Sequence, residues 1–73
     1  MRITYDTQAD AIYIRLQEGE FGLNKEVEPG LVLDIGQNKE LLGIEILDAS
    51  SRFDMADISR VSIEMPLNVT KAA

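Results

Sequence analysis

The feature that most constrains this chain is a two-residue alternation of large apolar side chains, which recurs in several short segments. Ile3 and Tyr5 alternate with polar neighbours, and Ile12, Ile14 and Leu16 continue the same period after a polar loop. A period of two is that of a half-buried β-strand, whereas a helix repeats every 3.6 residues. If Ile3 lies opposite Ile14, then Tyr5 lies opposite Ile12, and all large apolar side chains share one face. These residues therefore predict a first β-hairpin.

A second hairpin is predicted where the alternation returns around the polar segment 36–39. Pairing Leu33 with Ile44 places Leu31 opposite Ile46 and Ile35 opposite Leu42, so that all six side chains share one face. The other face would carry a mixture of apolar and charged residues, namely Val32, Asp34, Leu41, Gly43, Glu45 and Leu47. Because a solvated face is usually polar, this mixture predicts partial cover on the second side as well.

Between the two hairpins, residues 23–28 predict a short third strand. Its inward-facing positions include Lys25, and an inward-pointing lysine is typical of an edge strand because it discourages pairing with another chain. Pro29 and Gly30 mark the reversal that follows. A two-residue turn would set Val27 opposite Val32, and a three-residue loop would set Val27 opposite Leu31. The sequence leaves both alternatives open.

After residue 50 the pattern changes to that of a short helix. Ser51 followed by Asp54 resembles a capping box, which predicts a helix over about 51–58 with Phe53 as its anchor on the sheet. Val61, Ile63 and Met65 alternate again, which predicts a final strand over about 60–65 that pairs within the chain or with a second copy.

The elements together predict an α+β fold. It is a small antiparallel β-meander sheet of five or six short strands, with one short C-terminal helix packed on it. We expect a single domain over residues 1–73, with the β region in about residues 1–50.

Composition excludes several functional classes. The 73 residues contain no cysteine, so disulfides cannot stabilise this small core. The formal net charge of -6 and the scattered basic residues argue against nucleic-acid binding. No apolar run approaches the roughly 20 residues of a membrane span, and no secretory signal is evident, so a cytoplasmic location is expected without membrane attachment.

Three ordered sequence blocks resemble the small bacterial family called Domain of Unknown Function 2283. They are Tyr5-Asp6 with Ala9-Asp10-Ala11-Ile12-Tyr13-Ile14, then Glu26-Val27-Glu28-Pro29-Gly30-Leu31-Val32-Leu33-Asp34, then Gly43-Ile44-Glu45-Ile46-Leu47-Asp48-Ala49-Ser50. The resemblance covers residues 3 to about 50. The loop after the fourth strand departs from the Asp- and Gly-containing turn associated with the family. The resemblance implies a compact antiparallel sheet, no defined activity, and an occasional association with small toxin-like partners.

Few routes to catalysis are open to this chain. It has no histidine and no cysteine, which removes the common nucleophile–base pairs, zinc sites with nitrogen or sulfur ligands, and haem ligation. We therefore predict that it is not an enzyme and holds no cofactor. The weak candidates for a calcium or magnesium site, or for a carboxylate pair, are Asp6, Asp10, Asp34 and Glu45. For Asp6 and Asp10, turn formation by backbone hydrogen bonds is the competing interpretation.

The leading functional hypothesis is a structural or protein-interaction module that self-associates, with a dimer favoured, or binds a small partner protein. It follows from the small core and the apolar residues on both faces of the sheet. The alternatives are a carboxylate-based binder of a divalent cation or small ligand, and an antitoxin-like partner of a small basic toxin.

Overall fold

A computed structural model describes residues 1–66 of the chain as one sheet followed by two short helices. The elements in chain order are β1 (Arg2–Asp6), β2 (Ala11–Arg15), β3 (Phe21–Glu28), β4 (Leu31–Gly36), β5 (Leu41–Ile46), α1 (Ala49–Arg52) and α2 (Met55–Ile58). All strand pairs are antiparallel, so the predicted α+β class is confirmed. Each helix has four residues, and no helix in the described part of the chain is long and apolar enough to cross a membrane.

The strand order is β1-β2-β5-β4-β3, which differs from the sequential order of a simple meander. β3, β4 and β5 do follow one another, but β5 then pairs with β2, so that Ile12 lies opposite Ile46 and Ile14 opposite Ile44. This pairing joins the two apolar stripes into one continuous surface. Alternation along a strand determines which face a side chain occupies, but it does not determine which strand lies alongside. That is why the sequence predicted the hairpins and not their order.

The predicted registers hold through most of both hairpins. Ile3 lies opposite Ile14 in the first hairpin, and Leu33 lies opposite Ile44 in the second. The predicted pairing of Ile35 with Leu42 is wrong, because a register shift after Asp34 places Leu41 opposite Ile35. The Leu42 carbonyl instead accepts a hydrogen bond of 2.8 Å from the Leu16 amide. A β-bulge of this kind inserts one extra residue in one strand, which period-two alternation cannot reveal.

The reversal at Pro29 and Gly30 combines features of both predicted alternatives. Glu28 lies opposite Leu31, so the turn contains two residues, and Gly30 adopts a φ of 84°. A second register shift then places Glu26 opposite Val32, which leaves Val27 without a direct partner. The bulge returns Lys25 to the face of Leu33, as predicted, and β3 is an edge strand.

The C-terminal part departs most from prediction. The single helix expected over about 51–58 is two helices, because Phe53 adopts an extended backbone with φ -133° and ψ 154°. Asp54, rather than Ser51, provides a capping side chain, since its carboxylate accepts a 2.9 Å hydrogen bond from the Ala56 amide. The strand predicted over about 60–65 does not form: residues 61–66 have no regular secondary structure.

The hydrophobic core is small. Within the described residues, only Ile12, Leu42 and Ala49 are buried apolar side chains, and Leu42 is 2% exposed. Leu42 lies beside Gly19 and is the extra residue of β5 at the β-bulge between β4 and β5. Phe53, the predicted anchor, lines a groove together with isoleucines of β1 and β2 and is 44% exposed.

Replacing Leu42 with alanine is expected to destabilise the fold by about 2–5 kcal/mol, because the cavity left around a nearly buried leucine cannot fully collapse. Leu41→Ala, a matched change at the half-buried neighbouring position, is expected to cost less. Urea unfolding followed by circular dichroism measures both free energies. A larger loss for Leu41→Ala would contradict the register at the bulge.

Candidate functional site

A hydrogen-bond network connects the first hairpin to the start of α1. The Asp10 carboxylate accepts three hydrogen bonds: one of 2.7 Å from the Tyr5 hydroxyl, one of 3.0 Å from the Ser50 amide and one of 2.6 Å from the Ser50 hydroxyl. The Asp10 carbonyl also accepts a hydrogen bond of 2.9 Å from the Ala49 amide. Hydrogen bonds to a carboxylate favour its charged form, so Ser50 first and then Tyr5 lower the pKa of Asp10. Asp10 therefore joins two regions that are 40 residues apart.

Asp6 has a local structural role. One of its carboxylate oxygens accepts hydrogen bonds from the amides of Gln8, at 2.9 Å, and Ala9, at 3.1 Å. This pattern is the Asx-turn geometry by which aspartate fixes a tight reversal. Asp6 and Asp10 thus bracket the first turn as predicted, and both have polar partners within the fold. The Tyr5 phenol, whose pKa is raised by its hydrogen bond to Asp10, belongs to the same network.

The other two candidate carboxylates lie on one face of the sheet, which we call the polar face. Its residues form two rows across the strands: Arg2, Arg15, Gly43 and Asp34 in one row, and Thr4, Tyr13, Glu45 and Val32 in the other. Asp34 and Glu45 therefore belong to neighbouring rows rather than opposing each other. No three acidic residues gather into a metal-binding cluster within residues 1–66.

Tyr13 and Arg15 form the centre of the polar face. A Cβ at Gly43 would come within 2.5 Å of the Tyr13 hydroxyl oxygen. The phenol ring therefore lies over this glycine, and its position requires a residue without a side chain there. The Tyr13 hydroxyl and then the Glu18 carboxylate raise the pKa of Arg15, and Asp34 adds a smaller contribution of the same sign. The basic residues occupy the β1–β2 end of the face, and the carboxylates lie toward β5 and β4.

The opposite face, which we call the apolar face, consists of the alternating residues of all five strands. Its members are Ile3, Tyr5, Ile12, Ile14, Leu23, Lys25, Glu28, Leu31, Leu33, Ile44 and Ile46. A groove of about 400 Å³ runs between this face and the C-terminal segment, with Phe53, Ile58 and Val61 on its outer wall. Only Ile12 is buried, while Leu33 is half-buried and Leu23 is 54% exposed.

Arg52, in α1, fixes the turn between β3 and β4. Its Nε donates a hydrogen bond of 2.9 Å to the Leu47 carbonyl, and its Nη2 donates a hydrogen bond to the Pro29 carbonyl. Its Nη1 lies 3.4 Å from a Glu28 carboxylate oxygen. Arg52 therefore has partners along one side of the fold, and its role there is structural.

Sequence reasoning missed both the Ser50 partner of Asp10 and the cross-strand pair of Arg2 and Arg15. The arginine pair follows from the predicted register, since Ile3 opposite Ile14 requires Arg2 opposite Arg15. The contact to Ser50 had no comparable signal, because it depends on the order of the strands.

Comparison with known proteins separates the sheet region from the C-terminal segment that follows it. The sequence model of a family described as "Protein of unknown function (DUF2283)" matches residues 2–50, which span the whole sheet and the Asp10 network. A protein from Methanosarcina mazei named "Putative hypoxanthine phosphoribosyltransferase" is 39% identical over 57 residues, which are 71% of this chain and 42% of that protein. The chain thus spans less than half of that relative. No solved structure matches the chain.

The lowered pKa of Asp10 predicts a specific dependence of stability on pH. A carboxyl group whose pKa is lower in the folded state stabilises the fold above its unfolded pKa of about 3.8, and that contribution is lost as pH falls through the folded value. Asp10→Asn should therefore lower the melting temperature at pH 7, and its difference from the wild type should shrink below pH 3.8.

Thermal unfolding between pH 2 and pH 8 measures this difference. Glu20→Gln changes an exposed acidic residue outside the network and serves as the control, with a near-constant difference expected. If Asp10→Asn left the melting temperature unchanged at pH 7, the proposed contribution of the Asp10 network would be refuted.

Proposed function

We propose that this chain, which belongs to the family described as "Protein of unknown function (DUF2283)", is a non-enzymatic interaction module that self-associates through its apolar face. The occupant of that face is a second copy of the chain, related by a two-fold axis and packed sheet against sheet. The observation that carries this proposal is a single-layer sheet whose apolar face is covered only in part by the two short helices.

The open face is the main support for a second layer. Stable domains bury the apolar face of a sheet against another layer of structure, and here the two short helices provide only partial cover. Leu23 and Val27 on β3 are exposed, and so are Phe53 and Val61, which line the groove. Clusters of exposed apolar side chains are typical of protein interfaces.

The distribution of charge favours a second copy despite the net charge of -6. On the apolar face, the charged sheet residues Lys25 and Glu28 both lie at the edge, on β3, whereas the sheet residues Asp34 and Glu45 lie on the polar face. Two copies that pack apolar faces together therefore keep these carboxylates on their outer sides. Depletion of charged residues at the centre of a contact is characteristic of protein interfaces.

The size of the face sets the expected strength of the contact. Five strands about 4.8 Å apart, four of which have five or six residues at about 3.3 Å each, give a face of roughly 24 by 18 Å. Burying such a face on both copies approaches the roughly 1,000 Å² that separates specific interfaces from incidental contacts. We therefore expect a weak dimer.

The absence of enzymatic activity is part of the proposal. The chain has no histidine or cysteine, and Asp6, Asp10 and Arg52 all have hydrogen-bond partners that shape the fold. The activity in the name of the Methanosarcina mazei relative remains with that longer protein, because the shared segment is 42% of its length.

Two neighbouring residues of β4 provide a matched test. Leu33→Gln places a polar side chain at the centre of the apolar face, and Val32→Gln makes a similar change at the half-buried position on the polar face. Because a two-fold interface contains each substitution twice, Leu33→Gln should weaken dimerisation by more than about tenfold. Sedimentation velocity from about 1 µM to about 1 mM measures the dissociation constant. Val32→Gln should leave it unchanged.

A further variant separates loss of association from loss of folding. Leu23→Gln changes a side chain that is 54% exposed, so it should weaken the dimer while urea unfolding shows an intact fold. A wild-type chain that stays monomeric throughout this concentration range would overturn the proposal. Equal weakening by Val32→Gln and Leu33→Gln would also overturn it, since the contact would then not be specific to the apolar face.

A further inference from the structure

We propose that the basic end of the polar face binds a small phosphate-bearing anion between Arg2 and Arg15. This site lies on the side of the sheet opposite the proposed dimer contact, and its existence does not depend on self-association. These two arginines lie side by side on neighbouring strands of an acidic chain.

Arg2 and Arg15 are direct cross-strand partners in the first hairpin. Side chains in such a pair leave the same face, with Cβ atoms about 4.5–5.5 Å apart, and like charges in this position destabilise a sheet. Two of the seven basic residues therefore stand together in a protein of net charge -6. Within residues 1–66, no carboxylate lies within ion-pair distance of Arg2. An anion between the two guanidinium groups would remove the repulsion.

The two arginines open onto a concave surface of about 620 Å³. Thr4 and Tyr13, which also oppose each other across β1 and β2, line the same concavity. Their hydroxyl groups can donate hydrogen bonds to an oxyanion. The concavity therefore combines two positive charges and two neutral donors on one hairpin with the Glu18 carboxylate.

Arg15 is held in place but retains donors for a ligand. Its Nε donates a hydrogen bond of 3.1 Å to the Gln17 carbonyl, and this bond orients the guanidinium plane. Glu18 lies 3.4 Å from the same Nε, but the Glu18 side chain is 91% exposed. An ion pair with such an exposed partner is weak, so a multivalent anion can displace it. The two terminal nitrogens of a guanidinium group match the spacing of phosphate oxygens.

The arrangement of charge also limits what the ligand can be. Asp34 and Glu45 continue the two rows beyond Arg15 and Tyr13, so negative potential rises toward β5 and β4. A nucleic-acid backbone, with phosphates in succession, would meet these carboxylates. A single phosphate group, either free or as the monoester of a small molecule, fits the basic end alone.

The test is a titration of the intact chain with inorganic phosphate and with glycerol phosphate, using sodium chloride at matched ionic strength as the reference. In two-dimensional NMR spectra, we expect the amide signals of Thr4, Tyr13 and Arg15 to shift in a saturable manner. Tighter binding of glycerol phosphate would identify a phosphate monoester as the ligand class, and tighter binding of inorganic phosphate would identify free phosphate. Failure of both to shift these signals would overturn the proposal.

Substitutions distinguish this site from general salt effects. Arg2→Gln and Arg15→Gln should each weaken binding by about tenfold or more, because each removes a charged donor. Arg60→Gln changes an exposed arginine outside the concavity and should leave binding unchanged. Without ligand, Arg2→Gln should also melt at or above the wild-type temperature, since the like-charge pair is gone. Equal weakening of phosphate binding by all three variants would overturn the proposal. Leu33→Gln, which tests the dimer, should not affect phosphate binding.

Discussion

The pairing of β2 with β5 is the interaction on which the rest of this structure depends. It joins a local hairpin, β1–β2, to a local three-stranded unit, β3–β4–β5, and it aligns their isoleucines into one apolar surface. The most buried large side chain, Leu42, lies where these two units meet. Without this contact, β1–β2 would be an isolated two-stranded hairpin, which is only marginally stable in water.

The Asp10 network reinforces the same junction from outside the sheet. The turn after β1 provides the carboxylate, β1 provides Tyr5, and the helix after β5 provides Ser50. Conspicuous residues of the family-like sequence blocks therefore act together. They connect the turn between β1 and β2 to the segment that follows β5. Their contacts are those of a structural hydrogen-bond network.

Sequence alone predicted the parts of the fold that depend on a period of two. The registers of Ile3 with Ile14 and Leu33 with Ile44 followed from the need to keep apolar residues on one face. The bulges near Val27 and after Asp34 did not follow, because each changes the count by one residue and no side chain marks the change. The strand order, and with it the contact from Asp10 to Ser50, depends on tertiary packing that alternation does not encode. The proposed phosphate site lies between these cases, since the predicted register already contained the Arg2–Arg15 pair.

A single-layer sheet with different chemistry on its two sides has a consequence for valency. If two copies join through their apolar faces, their polar faces point in opposite directions, and each presents its own Arg2–Arg15 concavity to solvent. Such an assembly would be bivalent for any phosphate-bearing group displayed on a larger surface. Weak individual contacts could then combine into appreciable avidity, because engagement of the first site raises the effective concentration at any second site within reach.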